Sequence, residues 1–198
     1  MILWNKYKEQ GWFESANQYC FHRFNIVESR LLTASRYVEI NTHNRNTFSY
    51  EFASIIRDCG SIFTSTMDAF VKGTKATAKS ETYFSDYRNF LCREITNIDK
   101  ISLQIRPCFP SGLIVPYEGL EIPTGVPIWW NAYNHVKHNE HEEFRWGNLE
   151  NCVVAISALA LLGFYMSWFR SDQLFVNVGT PYDKSLEASV GQLLFPHI

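Results

Sequence analysis

The chain has 198 residues, of which 46% are apolar and 16% aromatic. That is enough apolar material for the core of one domain of ordinary size, roughly 100–200 residues, and it excludes a disordered chain. A net charge of -2 with both signs scattered along the sequence excludes the strongly basic footprint of a duplex nucleic-acid binder.

The five cysteines, Cys20, Cys59, Cys92, Cys108 and Cys152, are odd in number and include no CxxC pair. They read as reduced thiols in a cytoplasmic protein, with no disulfide framework and no zinc site. The N-terminal residues lack a basic stretch followed by an apolar run, so no signal peptide is expected.

Residues 1–23 are rich in aromatics (Trp4, Tyr7, Trp12, Phe13, Tyr19, Phe21) without a clean period. They read as an arm or short helix packed on the bundle. Val27, Leu31, Ala34 and Val38 then recur at helical spacing and predict a helix over 24–40. The polar stretch 42–47 breaks it. Ser49 or Thr47 can cap the next helix, with Glu51 in its first turn. There Phe48, Phe52, Ile55, Cys59, Phe63, Thr66 and Phe70 form one stripe, and Gly73 marks the end.

A polar loop over 74–81 leads to a third helix at 82–98, with Tyr83, Tyr87, Phe90, Leu91 and Ile95 inward. Ile101, Leu103 and Ile105 alternate with polar residues, as in a short strand. From Pro107 to Pro127 the density of proline and glycine excludes helix. The apolar residues in that stretch, Tyr117 among them, imply a loop laid onto the core.

Pro127 suits the start of a helix reaching about residue 140. A turn over 140–147 precedes the last long helix, 148–170. Its Cys152–Phe169 portion is nearly uncharged and about as long as a membrane span. A buried central helix is the preferred reading, because a helix apolar all round is what the centre of a bundle requires. The tail, 171–198, carries two apolar runs, Leu174–Val178 and Val190–Phe195, and reads as a hairpin or extended cover packed on the bundle.

The expected fold is therefore mainly α. It is an antiparallel bundle of four to five main helices in a single domain, with a short β or extended segment and an irregular C-terminal tail.

One helix invites a chemical reading. Trp129, Ala132, Tyr133 and Val136 share a face at i, i+3, i+4 and i+7, while Asn131, Asn134, His135 and His138 share the opposite one. Trp130 and Lys137 flank the polar stripe. Asn and His are poor helix formers for a merely solvated face.

Three readings of the stripe stand. In the first, it acts on RNA without a metal or cofactor. His138 would be the general acid/base, Lys137 would steady phosphorane charge and Asn134 would orient the phosphate, with Asn131, His135, Asn139 and Trp130 binding substrate. In the second, His135, His138 and His141, with Glu142 or Glu143, hold a metal. In the third, Lys137, His138 and Asn139 are placed by the helix C-terminus, whose carbonyls favour cations and an Asn.

The pattern Trp-Trp-x-Ala-Tyr-Asn-x-Val-Lys-His-Asn at 129–139, then Phe144, Asn148-Leu149-Glu150-Asn151 and an apolar helix with Ala155, Ala158 and Leu159, resembles uncharacterised bacterial proteins of the HEPN-like group. Ser49, Glu51, Ala53, Ile55-Ile56 and Cys59 resemble that group's earlier long helix. The Pro-rich stretch with Tyr117 also fits, and the resemblance spans about residues 24–170.

It implies an antiparallel helical bundle that is often dimeric and often linked to RNA cleavage, toxin–antitoxin pairs or phage defence. A homodimer, an RNA or nucleotide ligand, and a cognate antitoxin or partner protein are the partners it implies; no membrane is expected. Active members carry an Arg, then four to six residues, then a His. His138 matches that His, while Asn131, Ala132 and Tyr133 stand where the Arg would be. The alternative is a non-catalytic dimerisation or interaction module.

Overall fold

The computed structural model of the chain describes residues 2–74, 82–105, 113–138, 141–166 and 175–179. Among these residues there are five main helices and one short one. In chain order they are α1 (Ile2–Tyr7), α2 (Gly11–Ala34), α3 (Tyr50–Thr74), α4 (Phe84–Glu94), α5 (Ile128–His138) and α6 (Leu149–Met166). The bundle expected from the sequence is thus present.

The N-terminal region departs from expectation. Residues 11–23 belong to α2, a helix of 24 residues that stops at Ala34. Its buried face is Phe13, Ala16, Cys20, Phe24, Val27 and Leu31, which is a regular helical stripe. Tyr19, Phe21 and Ile26 are exposed on the other face, and these apolar residues hide the period in the sequence. α1 is the short packed helix. Its Lys6 and Tyr7 reach the buried Glu94 carboxylate of α4 at 2.6 and 3.1 Å.

α3 is the central element. Phe52, Ile55, Cys59, Phe63, Thr66 and Phe70 are buried along it, as the spacing predicts. Phe48 lies before the helix and is about half exposed (51%). Ser49 is the cap: its Oγ accepts from the Phe52 amide at 3.1 Å, which satisfies an otherwise orphan donor of the first turn. On the polar side, Arg30 of α2 bridges to Glu51 at 2.9 Å, to Ser54 at 3.0 Å and to Asp58. Inside the bundle the Phe63 ring meets Trp129 edge-on at 5.1 Å and Tyr87 at 5.8 Å. Phe13 stacks on Phe70 at 5.5 Å. Full burial of each such ring contributes about 1.5–3 kcal/mol.

α4 is shorter than the predicted 82–98. Ile95 leaves the helix in an extended conformation, and Asn97 takes a left-handed φ of 55°. Tyr83 is exposed (61%) at the N-cap rather than inward, while Tyr87, Phe90, Leu91 and Ile95 are buried.

The strand expected around 101–105 is β1 (Ser102–Ile105). It is the middle of a small antiparallel sheet with β2 (Leu113–Ile114) and β3 (Phe175–Gly179), in the order β2-β1-β3. Leu103 pairs with Ile114 on one side and Val178 on the other. The first apolar run of the tail therefore pairs with β1; the second run, 190–195, lies outside the described residues, as does most of the predicted loop 74–81.

The loop after β2 is laid on the core, as its composition implies. Tyr117 is fully buried and its hydroxyl donates to the Ala158 carbonyl of α6 at 2.9 Å. Arg88 of α4 holds the loop's other end through the Pro123 carbonyl.

α6 is the apolar central helix. It is long and apolar enough to cross a membrane, and 83% of its span is buried inside the protein. Its start is joined to that of α3 by backbone hydrogen bonds: Ser49 donates to the Gly147 carbonyl at 3.0 Å, and Leu149 donates to Thr47 at 2.8 Å. The Arg45 guanidinium holds Glu150 with two contacts of 2.6 and 3.2 Å. Both helix starts are thereby fixed as one unit.

Candidate functional site

α5 begins where the fixed φ of Pro127 fits: the Trp130 and Asn131 amides both donate to the Pro127 carbonyl, at 3.0 and 3.2 Å. Its packing face is the one read from the sequence, Trp129, Ala132, Tyr133 and Val136, all buried. Tyr133 lies flat against α3 because position 60 there is glycine. A Cβ on Gly60 would stand 2.1 Å from the Tyr133 ring. This close approach sets the height of α5 above α3.

The opposite stripe faces outward in graded fashion. Asn131 and His138 are exposed, and Asn134 and His135 are half-buried. Lys137 is exposed, with its Nζ 5.2 Å from the centre of the Tyr133 ring one turn earlier, a cation–π contact. Asn139 lies outside the described residues. Trp130, read from the sequence as a ligand-binding group, also packs within the bundle. It is half-buried between α3 and α4, stacked on Phe84 at 4.7 Å and in contact with Phe63 and Tyr133 at 5.6 and 5.1 Å. At i+1 from Trp129 it falls on the flank of the packing face, and the bundle uses that flank.

The main contact of the stripe is one the helical period does not reveal. His135 stacks on Trp146 with centroids 4.4 Å apart and planes within 2°. Trp146 sits in the 3-10 turn Phe144–Trp146, which folds back after α5. Its Nε1 donates to Glu143 at 3.0 Å, so the indole is held in its plane from the side.

The turn is itself clamped. Asn148 caps α6, its Oδ1 accepting from the Asn151 amide at 2.9 Å, and its Nδ2 donates back to the Arg145 carbonyl at 3.1 Å. The buried Asn151 side chain donates to the Trp146 carbonyl at 3.0 Å. The Asn148-Leu149-Glu150-Asn151 motif is thus a structural clamp that positions Trp146. Gly147 completes it: a Cβ there would lie 2.7 Å from that of Ala53.

Beside Trp146 opens a cleft of about 390 Å³. Val115, Pro116, Val126 and Ile128 form its apolar lining, and Trp146, Asn131 and Glu118 complete it. Asn131 is the one residue of the predicted stripe that lines this space. Trp146 and Glu118 were missed by sequence reasoning. The local signal for Trp146 was a large aromatic, with Phe144, in a turn of mostly charged residues.

The three histidines of the metal reading are not brought into a metal-binding group. Among the described residues no three His, Cys, Asp or Glu side chains are placed to hold an ion. His141 is exposed and lies 3.5 Å from Glu142, while the His135 ring is engaged with Trp146.

Cys20, Cys59 and Cys152 are fully buried; burial pushes the Cys20 thiol up to about 12 and raises the other two as well. Such thiols are not nucleophiles near neutral pH.

No family model matches the chain, nor does any curated protein or solved structure.

Proposed function

We propose that this chain is a HEPN-like helical bundle that binds single-stranded RNA or a free nucleotide on the outer face of α5. The observation that carries the reading is the flat His135–Trp146 stack beside an open cleft. An aromatic ring held in a fixed plane is what an unpaired base stacks on, at about 1–3 kcal/mol per base. His138, one turn beyond His135 on α5, and Arg145, next to Trp146 in the turn, are exposed cation-forming groups that can meet phosphate.

Binding is better supported than cleavage. The stripe has Asn131, Ala132 and Tyr133 where active members of the group carry Arg, so no fixed guanidinium faces the scissile phosphate from α5. Lys137, the substitute, leans back over Tyr133, and its side chain leaves the helix about 100° round from that of His138.

The test is fluorescence anisotropy with a labelled mixed-sequence single-stranded RNA of about twelve nucleotides at low salt, followed on a denaturing gel. The expected result is saturable binding that weakens with salt, weakens further in Trp146→Ala, and leaves the RNA intact. Absence of binding at low salt would sink the reading. Cleavage abolished by His138→Ala would replace it with the ribonuclease.

A homodimer or a cognate partner protein, the other arrangement the resemblance implies, would have to cover the same face. The dimer is checked by light scattering across a concentration series.

A further inference from the structure

We infer that the cleft beside Trp146 is a base pocket selective for guanine. The inference rests on the nucleotide-binding reading above and narrows it.

The size comes first. A space of about 390 Å³ sits at the low end of small-molecule sites, which run to roughly 300–1,000 Å³. It suits one base with part of its ribose and is too small for a dinucleotide.

The lining chemistry comes second. Trp146 offers a flat wall whose plane is fixed by its bond to Glu143 and by His135. Val115, Pro116, Val126 and Ile128 supply apolar surface. Among the described residues no cationic side chain lines the cleft, and the side chains that do line it suit a base rather than a phosphate.

The two acceptor-bearing side chains among the described lining residues decide which base. Glu118 is an acceptor with two oxygens, and Asn131 carries one donor group and one acceptor. Guanine alone among the four bases presents two adjacent donors, N1–H and N2–H₂, which a carboxylate can accept side by side. Its O6, next along the same edge, is an acceptor for the Asn131 amide. Adenine and cytosine set a bare ring nitrogen beside their amine, which a carboxylate repels. Uracil has a single donor between two carbonyls.

The phosphate would lie toward the far end of α5. His138 is seven residues beyond Asn131, about 10 Å along the helix axis, which leaves His138 to meet the backbone of the strand.

The experiment is calorimetric titration of the full chain with guanosine, adenosine, cytidine and uridine 5′-monophosphates, in wild type, Glu118→Gln and Trp146→Ala. The guanosine nucleotide should bind on the order of tenfold more tightly than the others, the discrimination expected of one good bidentate pair. Glu118→Gln should remove that preference, because its NH2 would face one of the two guanine donors that the second carboxylate oxygen accepts. This residue is exposed on a turn, so the variant keeps its fold. Trp146→Ala should weaken all four nucleotides.

Equal affinities, no binding at all, or a guanine preference that survives Glu118→Gln would each overturn the inference. Labelled RNA that binds without regard to guanine content would overturn it while leaving the binding reading intact.

Discussion

Gly60→Ala tests the contact that sets α5 on the bundle. The added Cβ would stand 2.1 Å from one carbon of the Tyr133 ring and 2.4 Å from two more. Ordinary carbon contacts are about 3.5 Å or longer, so the ring would have to withdraw by roughly 1.4 Å. It has little room, because Tyr133 is 5% exposed and also meets the Trp130 ring at 5.1 Å and the Lys137 Nζ at 5.2 Å. Overpacking of this kind costs about 1–3 kcal/mol. Alanine's higher helix propensity offsets up to about 1 kcal/mol of that.

The clash with a stiff aromatic places the net near 2 kcal/mol, or a fall of roughly 4–8 °C in melting temperature for a chain of this size. Urea denaturation of wild type, Gly60→Ala, Tyr133→Leu and the double variant gives the cycle. In the Tyr133→Leu background the ring is gone, so Gly60→Ala should become neutral or stabilising. A Gly60→Ala protein as stable as wild type, or a cost unchanged by Tyr133→Leu, would refute the account of how α5 is seated.

Three further outcomes are expected. Asn148→Ala should lose the α6 cap, destabilising the chain by about 1 kcal/mol in urea, and should weaken RNA binding too, because the same side chain holds the turn bearing Trp146. Burial by itself would raise the Glu94 carboxyl, but hydrogen bonds from Lys6, Arg93 and Tyr7 outweigh it and hold the group below the usual carboxylate range. A carboxyl depressed on folding contributes stability above its unfolded pKa of about 4.3 and loses it as pH falls further. Wild type should therefore lose urea resistance below about pH 4 more steeply than Glu94→Gln. Iodoacetamide at neutral pH should leave Cys20, Cys59 and Cys152 unlabelled until denaturant is added, read by peptide mass spectrometry; rapid native labelling of any of the three would contradict their burial.

The elements legible in the sequence were those whose burial follows one simple period. α3 presents a single apolar stripe and α6 is apolar all round, so both could be read. The start of α2 was obscured because Tyr19, Phe21 and Ile26 lie exposed among polar neighbours and fill the gaps in the Phe13–Leu31 stripe. β3 could be suspected as an apolar run but not placed. Its partner β1 lies some seventy residues upstream, and strand pairing at that distance leaves no local mark. On α5, helical geometry alone divided the packing face from the polar stripe. The packing of Trp130 was not legible because i+1 from a buried residue can be either flank, and only the position of α4 decides which.

The Asn148–Asn151 motif has a structural role of its own. Both asparagines have backbone partners, and those bonds account for their place in the sequence without any ligand. The motif on which the proposed HEPN-like reading draws can therefore report a way of starting α6 rather than a reaction. The consequence for α5 is specific. His135 is accounted for by its stack on Trp146, and Lys137 by its contact with Tyr133. His138 is exposed, and none of these contacts accounts for it. Of the predicted reacting groups, it is the one whose replacement separates chemistry from architecture. His138→Ala should leave the urea midpoint within about 0.5 kcal/mol of wild type. Any loss of RNA turnover in that variant would then belong to the imidazole and not to the fold. Unchanged RNA binding and unchanged stability, with no turnover to lose, would assign α5 to recognition alone.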